Sequence, residues 1–195
     1  MDIHKNVVSV TIEGLPPGIL LHNPAGMQKV SGTAAKRIPS PDEEAAVAAY
    51  WTDDSKSLAL PSRCIRSGIG QACSGWKLPA NKKLMLSPIV AGDVSIEPDM
   101  IPFGTKVYKV DVQRAVVQRQ GVLRARPLLN PWRLTFDVRW ESQHLGDKEF
   151  SETLLPELLA RLGSTIGLGD YRPARKGPYG RFRVVEIVAK NGGRK

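Results

Sequence analysis

Cysteine and histidine are scarce in this 195-residue chain, which holds two of the first and three of the second. Cys64 and Cys73 are too few for a disulfide framework. Nine residues apart in a predicted helix, they also point in different directions. His4, His22 and His144 are scattered and lack ligand spacing, so neither a metal nor a cofactor is expected. There is no Gly-x-Ser-x-Gly elbow. The chain has no glycine loop ending in Gly-Lys-Ser/Thr either, which argues against a nucleotide hydrolase. No apolar run approaches the about 20 residues of a membrane span, and none resembles a signal peptide, so a cytoplasmic protein of a bacterial cell or phage-infected host is expected.

Acidic residues are the minority, with 19 Asp and Glu against 28 Lys and Arg, a net charge of +9. The acids gather early, at Asp42, Glu43, Glu44, Asp53 and Asp54. The bases gather late: Arg114, Arg119, Arg124, Arg126, Arg133 and Arg139, then Arg161, Arg172, Arg175, Lys176, Arg181 and Arg183. Such clustering creates a directional field that steers a polyanion onto one face, and nucleic acid is the commonest polyanionic partner.

The length suits one domain, 1–195, with a core that needs no staples. Residues 7–13 alternate Val8, Val10 and Ile12 with Ser9 and Thr11, which predicts a strand. Trp132, Leu134, Phe136, Val138 and Trp140 recur at spacing two and predict another over 132–140. Ile65, Ile69 and Ala72 stripe a helix over 62–74. Leu154, Leu155, Leu158, Leu159 and Leu162 stripe a second over 152–163, with Gly163 as its terminator. Strands are predicted over 106–117 and 182–188, and a further one over 84–90. Setting aside loop-rich insertions at about 15–58 and 76–105 and a frayed tail at 190–195, the order is βαββαβ. The predicted fold is therefore α+β, a ferredoxin-like or RRM-like core: an antiparallel sheet with both helices on one face. RNA-recognition modules of this shape bind on the other, open face.

The richest segment is 166–184, IGLGDYRPARKGPYGRFRV. Gly167, Gly169, Gly177 and Gly180 would let backbone N–H groups approach a phosphate. Arg172, Arg175, Lys176, Arg181 and Arg183 bring positive charge, and Tyr171 and Tyr179 offer stacking surfaces. Charge beside aromatic platforms is what a single strand needs, because its phosphates are anionic and its bases unstacked. A second segment, 60–75, places Arg63 and Arg66 at the start of a helix, whose N-terminus can receive an anion. Arg119, Arg124 and Arg126 flank a Gln120-Gly121 turn, either a basic hairpin tip on the same groove or an ordinary solvated hairpin.

The 166–184 segment resembles the C-terminal glycine-rich signature of the RAMP superfamily, which includes backbone subunits of CRISPR effector complexes. Residues 60–75, LPSRCIRSGIGQACSG, are similar to that family's Ile-Pro-Gly-Ser-Ser-Leu-Lys-Gly segment. Residues 8–24 resemble its opening strand and loop, and also small proteins of this kind encoded by phages and prophages. The resemblance implies a modified RRM-like fold that binds single-stranded RNA or DNA independently of sequence. It further implies head-to-tail self-association along the strand, a heterologous contact that leads to a filament where it does not close. Two rival expectations are a RAMP-type endoribonuclease using Asp53, Asp54 or His22, and a structural phage component that binds no nucleic acid.

Overall fold

The structure, a computed structural model, describes residues 5–31, 39–117, 120–141 and 145–190. In chain order the first half contains β1 (Lys5–Gly14), β2 (Ile19–Leu20), α1 (Pro24–Ser31), α2 (Pro41–Ala48), β3 (Ala59–Pro61) and α3 (Ser62–Ala72). There follow β4 (Lys77–Leu78), β5 (Asn81–Met85), α4 (Leu86–Asp93), β6 (Val94–Glu97) and β7 (Met100–Pro102). The second half has the hairpin β8 (Lys109–Val117) and β9 (Gln120–Leu129), then β10 (Arg133–Glu141), a helical run over 147–166 (α5) and β11 (Phe182–Ala189).

The central sheet runs β11–β1–β10–β6, every neighbouring pair antiparallel. With α3 after β1 and α5 after β10, the core order is β1-α3-β6-β10-α5-β11, the βαββαβ ferredoxin-like arrangement that was expected. Its inner face carries Val8, Val10 and Ile12 of β1 and Leu134, Phe136, Val138 and Trp140 of β10. These share one buried cluster with Ile65 and Ile69 of α3 and Leu155, Leu158 and Leu159 of α5. Both helices therefore cover the same face, and the period-two alternation on the strands meets the period-3.6 stripes on the helices.

Three local expectations are corrected. The second core strand is β6, not 106–117; that segment forms β8, which pairs with β9 and belongs to a separate sheet with β2. Residues 86–93 are helical rather than extended, because Leu86 and Val90, four apart, are the side chains that bury. The last helix runs past Gly163 and ends at Gly167, whose φ of +74° permits the turn. Gly163 instead lets β11 approach, since a Cβ there would collide with the Phe182 carbonyl. Pro156, which lacks an N–H, is accommodated by wider winding just before it: Leu155 N–H donates to Phe150 O five residues back. No helix among the described residues is long and apolar enough to cross a membrane.

Candidate nucleic-acid interface

The glycine-rich loop connects α5 to β11 and is folded tightly on itself. Gly167, Gly169 and Gly180 have φ of +74°, +74° and +71°. A Cβ at Gly180 would collide with the Leu168 carbonyl, and one at Gly169 with the Leu20 carbonyl. The loop's amides are engaged internally: Leu168 N–H donates to Gly180 O, Asp170 N–H to Leu20 O, Gly177 N–H to Arg172 O and Gly180 N–H to Gly18 O. Of the glycine amides expected to cradle a phosphate, those of Gly167, Gly177 and Gly180 already donate to the carbonyls of Leu162, Arg172 and Gly18. What the loop offers outward is side chains. Lys176, at φ +62°, closes the short 3₁₀ turn Pro173–Arg175.

The loop is tied to the β8–β9 hairpin. Arg126 Nε lies 2.6 Å from Asp170 Oδ2, an ionic contact. Gln113 Nε2 donates to the Tyr179 hydroxyl at 2.8 Å. Tyr179 is half-buried, and burial pushes its phenol above the ordinary range, with nearby Asp111 acting the same way. The Tyr171 and Tyr179 rings sit 6.2 Å apart, with Tyr171 exposed. Two residues back on β9, Arg124 Nη1 donates to buried Glu44 Oε1 at 2.8 Å, while Glu44 Oε2 accepts from Ala125 N–H at 2.9 Å. His22 lies in the field of both ion pairs. Burial is the main cause that lowers its imidazole pKa; Asp170 opposes, Arg126 and Arg124 reinforce, and Glu44 opposes.

A groove of about 340 Å³ separates α3 from this loop. Arg63, Cys64, Ser67, Gly68 and Gln71 form one wall, and Gly167, Leu168, Gly169 and Arg172 the other. Burial raises the Cys64 thiol pKa, and Arg63 and Arg172 both oppose that rise, so the two guanidinium groups act on one point from opposite walls. The N-terminus of α3 has no side-chain cap, since Pro61 precedes it. Gly68 lets α3 pack closely on α5, for a Cβ there would lie 2.5 Å from Leu162.

The structure separates the expected residues. Arg63, Arg172, Gly167 and Gly169 meet at the groove. Arg175, Lys176 and Arg181 are exposed on the same loop, without a carboxylate partner among the described residues. Arg124 and Arg126 are taken up by Glu44 and Asp170. Arg66 points the other way, donating to the Ala91 carbonyl. Arg183 lies on the open sheet face, paired to Glu13 at 2.6 Å. Arg119 lies outside the described residues. Sequence reading missed Ser67 and Gln71, although 63, 67 and 71 fall at spacing four, opposite the apolar stripe.

The open face differs from that of an RNA-recognition module. Along it Arg139 pairs with Glu97 at 2.9 Å, Lys190 with Asp137 at 2.6 Å, and Arg133 with Glu13 at 3.9 Å. Thr11 and Thr135 bond to each other at 3.1 Å. Its outward positions on β1, β6 and β10 carry Ser9, Thr11, Glu13, Ser95, Glu97, Thr135, Asp137 and Arg139, with no ring among them. The expected use of that face has no stacking platform and no unneutralised cation row to rest on.

Of the residues considered for catalysis, Asp54 is a turn ligand. It accepts from Thr52 Oγ1 at 2.7 Å and from Lys56 N–H at 3.0 Å, and those bonds hold its carboxyl below the usual range. Asp53 and Asp54 border a depression with Asp99 and Met100, whose lining does not include His22. No group of three or more His, Cys, Asp or Glu that could hold a metal ion occurs among the described residues.

No protein-family model and no curated protein matches the sequence. Solved structures do. The chain superposes on one in a structure of the Type III-B Cmr-beta complex bound to cognate target RNA, with a TM-score of 0.59 and 12% identity. The match covers 95% of this chain and 60% of that one. The chain therefore shares the fold of that neighbour, in line with the expected ferredoxin-like core, and it spans less than two thirds of that neighbour's length.

Proposed function

We propose that this chain binds single-stranded nucleic acid independently of sequence, on its helical side, through the glycine/arginine-rich loop and the adjoining α3 groove. One observation carries the reading. Arg63 and Arg172, which line the groove, and Arg175, Lys176 and Arg181, exposed on the same loop, have no carboxylate partner among the described residues. On the β8–β9 hairpin and the sheet, Arg124, Arg126, Arg183, Arg139 and Lys190 are matched by Glu44, Asp170, Glu13, Glu97 and Asp137, whereas Lys109 and Arg114 of β8 have no carboxylate partner among the described residues. A phosphodiester chain laid along α3 would meet positive charge from both walls, and Tyr171 would present a ring to a base. The neighbour's complex carries target RNA, which accords with this class of ligand. In this reading the chain holds the strand and does not cut it, and successive copies add head to tail.

The test is titration of a labelled oligonucleotide over a range of salt. Combined R175A/K176A/R181A replacement should weaken binding to every sequence and reduce the salt slope by about 2, at about 0.7 per lost single-strand phosphate contact. R183A and R124A should leave the slope unchanged. Wild-type affinity and slope in the triple variant would overturn the proposal. Labelled RNA incubated with and without Mg²⁺ should remain intact, and oligonucleotides of increasing length should recruit increasing numbers of copies by mass photometry.

A further inference from the structure

The α3 groove is lined as far as Gln71, and the side-by-side course of α3 and α5 continues beyond it. Helices α3 and α5 lie antiparallel: Arg63 and Cys64 face Gly167 to Arg172, Gly68 faces Leu162, and beyond the end of α3, Trp76 faces Arg161. Arg161 places its guanidinium carbon 5.5 Å from the centre of the Trp76 ring, a cation–π contact just beyond the C-terminal end of α3. Gly75, at φ +81°, turns the chain there, and Trp76 N–H donates to Cys73 O at 3.0 Å. The chain then enters the small β4–β5 hairpin, which is anchored by buried Leu78 and by Leu86 N–H donating to Trp76 O at 2.9 Å.

This hairpin has the composition of a contact surface. Lys77, Lys82 and Lys83 are exposed and have no carboxylate partner among the described residues. Leu84 and Met85 beside them are each 44% exposed. Two short strands of lysine and exposed aliphatic groups contribute little to the core, so their cost in repulsion and exposed apolar area calls for a ligand. The eleven-residue α3 is about 16 Å long. That length corresponds to about five phosphates of a stacked strand at about 3.4 Å each.

Resting on the nucleic-acid reading above, we infer that the strand runs the whole length of α3 and ends on a second station. There Trp76 and Arg161 form a stacking platform, and Lys77, Lys82 and Lys83 hold phosphates. A guanidinium held over an aromatic ring is a natural seat for an unstacked base, which stacks on either surface. The footprint of one subunit is thereby set by the distance between the glycine loop and the β4–β5 hairpin.

The test uses the full chain and two labelled single strands, one of about 4 and one of about 12 nucleotides, which bracket single-module site sizes. K77A/K82A/K83A should lose about tenfold in affinity for the long strand and less than about twofold for the short one. Its salt slope on the long strand should fall by about 2. In the wild-type protein, acetylation of the same three lysines, read by mass spectrometry, should drop when the long strand is bound and not when the short one is. Unchanged long-strand affinity in the variant, or unchanged lysine reactivity in the wild type, overturns this inference while leaving the groove assignment standing. Failure of the wild type to bind either strand overturns both.

Discussion

Replacing Glu44 with alanine should be the most damaging single change on the hairpin side of the molecule. Glu44 is 6% exposed and both carboxylate oxygens are engaged, one by Arg124 Nη1 and one by Ala125 N–H. E44A leaves a buried backbone donor without a partner, which costs about 1–3 kcal/mol. It also strands Arg124, whose side chain is 26% exposed and can turn partly to water. That exposure places the extra cost near about 1 kcal/mol, below the loss for a fully buried pair. Together the loss should be about 2–4 kcal/mol, or roughly 6–12 °C in Tm for a chain of this size. Thermal denaturation by circular dichroism measures it directly. E44Q, which keeps one acceptor for Ala125 but turns an amide toward the guanidinium, should lose about half as much. A double-mutant cycle between Glu44 and Arg124 should give a coupling of about 1 kcal/mol or more. If E44A melted within 2 °C of wild type (about 0.5 kcal/mol), the pair would not fasten α2 to β9. Arg124 would then be free to serve a ligand, and its assignment to the scaffold would fall.

Two further outcomes follow from the same geometry. G180A should cost more than about 2 kcal/mol, because a positive φ and a collision with the Leu168 carbonyl coincide; G75A, with open space around it, should cost only about 1. Denaturant unfolding of the two variants separates backbone strain alone from strain plus contact. His22 has a folded pKa depressed below its ordinary 6.5 by burial, so above that value both folded and unfolded states are neutral and it contributes no pH dependence. As pH falls below about 6.5, the unfolded chain takes up a proton that the folded one resists, and stability is lost until the folded pKa is reached. The Tm difference between wild type and H22Q should therefore move against the wild type on acidification, and parallel Tm–pH curves would refute the assignment.

Much of the core was legible because its signals are local. The alternation along 132–140 is borne out by burial of every even-numbered side chain from Trp132 to Trp140. The stripes on α3 and α5 fall where period and composition put them. Legibility failed where a segment was short or its partner distant. β6 has only four residues, too few to establish a period, whereas the longer and more regular 106–117 suggests the core strand and instead forms β8. The site was readable in composition and not in allocation. Arg183 looks the same in sequence as Arg181, yet it pairs with Glu13, 170 residues away, while Arg124 is held by a carboxylate 80 residues upstream. No local pattern distinguishes a neutralised arginine from an available one. The glycines were likewise seen correctly as special, but the demand they meet is close packing of carbonyls, which only the folded loop makes visible.

That allocation decides which side of the sheet can carry a polyanion. A strand crossing the open face would have to compete with Glu13, Glu97 and Asp137 for Arg183, Arg139 and Lys190. Exposed ion pairs are individually worth only about 0–1 kcal/mol, so competition alone is not prohibitive. The stronger objection is that three carboxylates remain behind, repelling phosphates whether or not their partners are won, with no ring to offset the loss. On the α3 side the balance reverses. Arg63 and Arg172 line the groove, and Arg175, Lys176 and Arg181 are exposed on the adjoining loop, none with a carboxylate partner among the described residues. On the reading proposed above, the ferredoxin-like sheet supports a binding surface on the helical side, while Glu13, Glu97 and Asp137 pair the cations of the opposite face.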